Sequence, residues 1–417
     1  SGYLKSASTQ RKGIVTLVDV APSILDTMGV RRPVAMEGRP FEVVQSRASL
    51  DARRNHLVTV NESSRFRERL LFPTTLVLVL ILGFVAGMTT AAVAGGGLTR
   101  WRPAIAFAAL ADLAVLPLSY LARAFPLQDL GSVFYWAFIV TGALVVAALA
   151  RQLARWKRQP DLALASVAAL VLVVPLLDAV TGSHLHLGSA FGYSPTGNSR
   201  LYGISNYSFA QVAAAGLVLA ALVAARGERR HRVAAVAILG VVLVVLGVPT
   251  WGSDVGGVLA MVPTIGVFAA LLFGWRVRLR TIALAGLATL VVVGGFGLLD
   301  LARPAGERAH LGRLFERIGA EGIQPLLSTI QRKLAANARV STSSFWVAAI
   351  PVGGLFLGFL RWWSPPPLAA ITRRIPPLRA ALGAGLTVAV LGSLVNDSGA
   401  IVGGVIFLVL AASVAAL

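Results

Sequence analysis

Apolar runs of 16 to 23 residues recur from Leu71 to the end of the chain, and the connections between them alternate between arginine-rich and arginine-poor. The runs lie near 72–94, 104–121, 131–150, 162–181, 208–225, 233–249, 257–274, 281–299, 345–360, 380–395 and 400–417. A helix rises about 1.5 Å per residue and needs roughly 20 residues to cross the hydrocarbon, so the shorter runs must borrow flanking residues. The pattern predicts an all-α polytopic membrane bundle of about eleven transmembrane helices over 71–417. With 56% hydrophobic and 13% charged residues, the apolar surface exceeds what a water-soluble core could bury.

The connections set the orientation, because Lys and Arg are retained on the cytoplasmic side during insertion. One set carries Arg100 and Arg102, then Arg151, Arg155, Lys157 and Arg158, then Arg226, Arg229, Arg230 and Arg232. It continues with Arg276, Arg278 and Arg280, then Arg361, Arg373, Arg374 and Arg379, seventeen in all. The short connections between these hold only Arg123 and Arg200. The N-terminal end is therefore expected outside a plasma membrane. The formal charge of +20 follows from the same retention, so it points to topology and not to nucleic acid as a partner. Absence of cysteine excludes disulfides and thiolate chemistry.

The connection at 301–344 is long and outside that count. Leu311, Leu314, Phe315 and Ile318 recur at helical spacing, as do Leu327, Ile330 and Leu334, with arginines over the remaining surface. Two basic amphipathic helices are expected, separated at Gly319–Pro325, either lying in the headgroup layer or capping the bundle.

Residues 1–70 are mixed in composition and read as a water-exposed portion with a linker. The chain opens on Ser1 without a signal peptide, so a longer protein is expected upstream. Residues 13–18, with the β-branched Ile14, Val15, Thr16 and Val18, suit a strand or turn, followed by a helix capped at Asp19, with Pro22 in its first turn and Gly29 at its end. Ile24, Leu25 and Met28 would face a core. The run Asp19-Val-Ala-Pro22-Ser-Ile-Leu25, with Gly29-Val30 and Glu37-Gly38-Arg39-Pro40, resembles the C-terminal strand and helix of the alkaline phosphatase superfamily. That resemblance covers about 40 residues. It implies an α/β remnant of an ectodomain that uses two divalent metals, held by Asp and His, on phosphate or sulfate esters. Those ligands would lie upstream; this chain supplies neither them nor a cofactor site.

The membrane part resembles bacterial multi-pass proteins in which such an ectodomain precedes the spans. The resemblance rests on Gly192–Asn206, Gly252-Ser-Asp254-Val-Gly256-Gly257, His310-Leu-Gly-Arg, Arg332-Lys333 with Asn337, and Val395-Asn396-Asp397-Ser398-Gly399.

With sidedness assigned, Asp178, Asp254, Asp300 and Asp397 all fall near outer span ends, as do Asn198, Arg200, Tyr202, Asn206 and Asn396. A carboxylate at the bilayer centre costs about 2.5–3.5 kcal/mol on insertion scales and less near the interface, so such groups face protein, water or a partner. One reading is an outward polar cavity in which Arg200, Tyr202, Asn198, Asn206, Asp254, Asp397, Asn396 and Asp178 bind substrate. The other leaves each in wet headgroup territory. The Gly/Ser/Asn/Tyr-rich connection 183–206 suits neither a span nor an amphipathic helix, so it is expected to dip into the bundle or to run as an exposed connector. Arg200 is the natural anion fork there, with Tyr202 and Asn206 as donors.

His184 and His186, with Asp178 nearby, lack a third ligand type at metal spacing, so no metal site is assigned. Asp112 sits mid-span, either at a helix interface or on an ion path. No phosphate loop, dinucleotide fingerprint, nucleophile elbow or zincin helix occurs. The expected function is binding or processing of a phosphate-bearing lipid or glycan precursor at the outer leaflet. A transporter or flippase, and a noncatalytic envelope scaffold, are the alternatives. Membrane lipids are partners in every case.

Overall fold

The computed structural model of the chain describes residues 2–33, 36, 38–95, 99–196, 200–276, 279–304 and 308–417. At the N-terminal end, β1 (Gly2–Ser6) pairs antiparallel with β2 (Phe41–Gln45), Gly2 opposite Gln45 and Ser6 opposite Phe41. Between them lies α1 (Val20–Thr27), entered through a 3-10 turn at Leu17–Asp19. The β-branched stretch before Asp19 is thus a turn leading to the helix, and the strands lie elsewhere. Asp19 holds the unit together. Its buried carboxylate accepts from the Ser6 and Ser8 hydroxyls at 2.7 Å each, the Arg39 amide at 2.9 Å and the Thr16 amide at 3.0 Å. Burial alone would raise this carboxyl, but the donors outweigh it and hold it below the ordinary carboxylate range.

Of the predicted core face of α1, Leu25 is half-buried and the other two residues are uncovered. Ile24 is 54% and Met28 68% exposed, and Leu17 beside them is 88% exposed. The helix instead buries Pro22 and Ser23, whose hydroxyl accepts from the Phe41 amide.

The unit rests on α2 (Leu50–Gly95), where Arg53 donates to the Gly2 carbonyl and His56 meets the Tyr3 ring. The compositional break at Leu71 falls inside this single helix of 46 residues. At about 1.5 Å per residue it is roughly twice as long as the hydrocarbon is thick, so its polar first half projects beyond it.

The bundle continues with α3 (Arg102–Leu121), the short α4 (Leu127–Leu130), α5 (Ser132–Trp156), α6 (Leu162–Val180), α7 (Asn206–Ala224), α8 (Arg229–Gly247), α9 (Val255–Phe273) and α10 (Leu279–Leu301). Then come α11 (His310–Glu321), α12 (Gln324–Ser343), α13 (Ala349–Gly358), α14 (Pro365–Arg374), α15 (Leu378–Val395) and α16 (Ala400–Ala416). Among the described residues ten helices are long and apolar enough to cross a membrane, and α16 is a shorter apolar helix of 17 residues. The chain is therefore a multi-pass membrane protein with an α-helical bundle.

The helices α7 and α16 form its centre, buried on nearly all sides. Their Ala- and Gly-rich faces let neighbours approach closely, as where Gly404 lies directly against the Trp346 carbonyl. The outer helices α5 and α10 expose Leu144, Leu149, Leu287 and Leu290, as lipid-facing surfaces do.

Contacts sort the connections into two ends. At one end Arg11 reaches the 182–201 stretch, Arg200 reaches Gly252, Asn206 reaches Asp397, and Lys333 reaches Val395. At the other, Arg151 donates to Pro103 and Arg374 pairs with Asp161. Of the two amphipathic helices, α11 caps the bundle. Asp300 accepts from the Ala309 and Gly312 amides, and Phe315 closes over Gly297. The apolar stripe of α12, namely Leu327, Ile330 and Leu334, stays exposed.

Candidate functional site

Residues 183–196 and 200–206 fold into the bundle instead of crossing its surface as a free connector. Ser183, His186, Ser189, Phe191, Tyr193, Ser194, Leu201, Tyr202 and Ile204 are buried. Irregular backbone at that depth needs internal partners, and they come from the surrounding helices. Arg67 of α2 donates to the Ser189 and Gly192 carbonyls, Arg123 to Leu187, and Tyr120 of α3 to Phe191. Glu68 accepts from the Ser194 and Thr196 hydroxyls. Arg11, from the N-terminal unit, donates to Leu201, Gly182 and Ser183 at 2.7–2.9 Å. The expected dip into the bundle is present, and the N-terminal unit is fastened to it.

Beside this fold lies a polar cluster built from four connections. Gly203, at φ +83°, lies flat against the Gly252 carbonyl, which accepts from the Ile204 amide at 2.9 Å; a Cβ there would collide with that oxygen. Arg200 locks the same contact. Its guanidinium donates to the carbonyls of Gly252, Ser253 and Ile204 and sits over the Tyr193 and Tyr202 rings. Arg200 is thus chiefly a latch between two connections, a role its spacing in the sequence did not disclose.

Asp254 caps α9, one oxygen accepting from the Gly257 amide at 3.1 Å, while Oδ2 is buried with no hydrogen-bond partner among the described residues. Gly256 and Gly257 leave the space taken by the Asn396 amide and the Asp254 carboxylate, which accounts for the Gly252–Gly257 run. Burial pushes the Asp254 carboxyl above its ordinary range, opposed by Arg200, the Gly257 amide and Lys333. Asn396 is buried and donates to the Gly392 carbonyl. Asn206, the first residue of α7, donates to Asp397 and Ser398 at 2.6 Å each.

Two side chains of α12 complete the group. Lys333 donates to the Val395 carbonyl at 3.4 Å and stands close enough to Asp254 to favour its charge. Asn337, one turn on, donates to Leu394 at 3.1 Å, and its Oδ1 is buried with no partner among the described residues. The i, i+4 spacing of Lys333 and Asn337 was the available signal, since it puts both on one helix face.

Of the eight predicted residues, Arg200, Tyr202, Asn206, Asp254, Asn396 and Asp397 therefore gather at one end of the bundle. Asn198 lies outside the described residues. Asp178 belongs to a different cluster. Its carboxylate accepts from the Leu185 and His186 amides at 2.7 and 2.8 Å and meets His186 Nδ1 at 2.5 Å. His186 Nε2 in turn lies 2.8 Å from the Ser208 hydroxyl.

This connectivity is that of a nucleophilic triad. Ser208, however, is fully buried in α7, and its Oγ also meets the Tyr120 and Ser205 hydroxyls at 2.7 and 2.8 Å. A hydroxyl so enclosed has no room for an acyl group beside it, and the cluster acts as a polar rivet between α3, α6, α7 and the 183–206 fold. Among the described residues no three His, Cys, Asp or Glu side chains come together as metal ligands.

No protein-family model, curated protein or solved structure matches the chain.

Proposed function

We propose that the chain is the multi-pass part of a bacterial cell-envelope protein that binds a phosphate-bearing lipid or glycan precursor at the outer leaflet of the plasma membrane. The observation that carries this reading is the cluster of Lys333, Asp254, Asn337 and the Asn206–Asp397 pair at the end of the bundle where the N-terminal unit sits. Lys333 is the phosphate contact, since Nη1 and Nη2 of Arg200 are already engaged by three carbonyls. The unpartnered oxygens of Asp254 and Asn337 are acceptors for sugar or glycerol hydroxyls. The exposed stripe of α12 lies in the headgroup layer beside them.

In this scheme α16 is the eleventh span and the N-terminal end faces outward. The alternation of arginines supports the orientation, and the unbroken apolar run of α16 supports the span. The exposed apolar side of α1 supports a larger alkaline-phosphatase-like ectodomain, which would cover Leu17, Ile24 and Met28 and bring divalent metals for hydrolysis or transfer. The test is binding of a polyprenyl-phosphate-linked sugar to the full chain in nanodiscs. Lys333→Gln and Asp254→Asn should each weaken it about tenfold while the melting temperature holds. Unchanged binding in both variants would remove the site.

A second reading, ion-coupled transport, draws on Asp112. Among the described residues this buried carboxyl in the middle of α3 has no hydrogen-bond partner on either oxygen. Uptake in proteoliposomes abolished by Asp112→Asn would favour it.

A further inference from the structure

The bundle end opposite the N-terminal unit holds a cavity of about 350 Å³ between α3, α5, α6 and the last turn of α16. Its walls are divided in character. Ala106, Leu110 and Ala163 give an apolar side, and Arg151, Arg155 and Arg158 give a cationic side. We propose that this cavity seats an anionic phospholipid, its phosphodiester held by the three guanidinium groups and its glycerol and first methylenes against the apolar wall.

Retention of arginine on the cytoplasmic side accounts for positive charge in this connection, and the end of α5 favours cations through its exposed carbonyls. Neither accounts for a cavity under the charge. Two other arginines at this end have acidic partners, Arg230 with Glu228 and Arg374 with Asp161. Among the described residues Arg151, Arg155 and Arg158 form no ion pair with a carboxylate.

Arg151 is fixed in place, donating to the Pro103 carbonyl at 3.1 Å with its guanidinium over the Phe107 ring. Arg158 adopts φ +53° where α5 ends, the Gln159 amide returning to the Ala154 carbonyl at 2.9 Å. That is the position at which helices usually place glycine, so an arginine there is held at a conformational cost. The volume suits a headgroup with its neighbouring methylenes, and basic pockets between spans are a recurrent way of holding lipid phosphates.

The inference rests on the multi-pass fold and not on the proposed site at the other end. The test uses the full chain in phosphatidylcholine nanodiscs with and without phosphatidylglycerol, reading retained lipid by native mass spectrometry. Wild type should retain phosphatidylglycerol, and Arg155→Gln with Arg158→Gln should lower its apparent affinity about tenfold. Arg229→Gln with Arg230→Gln, outside the cavity, should leave it unchanged.

Arg155→Lys with Arg158→Lys keeps the topogenic charge and should still bind several-fold more weakly, because an ammonium cannot fork onto a phosphate. It stands in if the glutamine pair fails to insert. Equal losses in the cavity and control pairs, or no loss in either cavity pair, overturns the proposal. Displacement of the lipid by inorganic phosphate at equal concentration would reassign the cavity to a soluble phosphate.

Discussion

At the scale of single residues, the polar end of the bundle depends on places where side chains are missing. Gly203 has both a positive φ and a carbonyl in the space a Cβ would take, whereas Gly227, at φ +87°, faces open space. Gly227→Ala should therefore cost about 1 kcal/mol and Gly203→Ala about 3 kcal/mol or more, read as denaturation midpoints of the purified protein. Asp254 offers a second comparison. Asn is an equally good cap and removes a buried charge, so Asp254→Asn should hold or raise stability, while Asp254→Ala should cost about 1 kcal/mol. Because its folded carboxyl titrates above the ordinary range, ionisation is disfavoured in the fold. Stability should fall as pH rises from the ordinary carboxylate value through the raised one, and Asp254→Asn should flatten that slope. The sequence marked Asp254 and Arg200 as unusual but not which oxygen lacked a partner or where the guanidinium was engaged. Those outcomes depend on the approach of 252–254 to 200–204, two connections separated by about two spans of sequence.

At the scale of elements, two polar hubs hold segments that the apolar pattern could not. Asp19 ties the turn before α1 to β1 and to residue 39, and its donors depress its carboxyl. A depressed folded value means the stabilisation is complete above the ordinary carboxylate range and is lost as pH falls through the folded one. Acid should therefore release amide protection in β1 and α1 before the bundle loosens, as hydrogen exchange would record, and Asp19→Asn should make that release independent of pH. In the 183–206 fold, Ser208→Ala removes the hydroxyl shared by His186, Tyr120 and Ser205. The expected cost is about 1–3 kcal/mol, with faster exchange at residues 185–193. The amphipathic pair at 301–344 was legible because helical spacing survives in isolation. Its division of labour was not, since Asp300 and Gly297 lie in a different helix from the residues they hold. The failure of Ile24 and Met28 to meet a core has the same origin, because periodicity tells which face is apolar and not whether anything covers it.

At the scale of the whole molecule, the arginine alternation and the contact pattern divide the connections in the same way. The division arises from insertion energetics in one case and from side-chain hydrogen bonds in the other. That agreement explains why the architecture could be read from sequence while the polar cluster could only be approached. Every span leaves a trace in its own residues, but a site formed by residues near 200, 254, 333 and 397 exists only after nine or more helices have packed. Orientation in the cell can be measured directly, because the chain has no native cysteine. Leu17→Cys and Ile323→Cys, at 88% and 64% exposed positions of the N-terminal end of the bundle, should react with a membrane-impermeant maleimide on intact cells. Gln159→Cys and Glu228→Cys, exposed at the arginine-rich end, should react only after permeabilisation. The reverse pattern would invert the protein and place Lys333 and Asp254 against the cytoplasmic leaflet. A mixed pattern within either pair would mean that one apolar helix between them does not cross, and the count of spans would change with it.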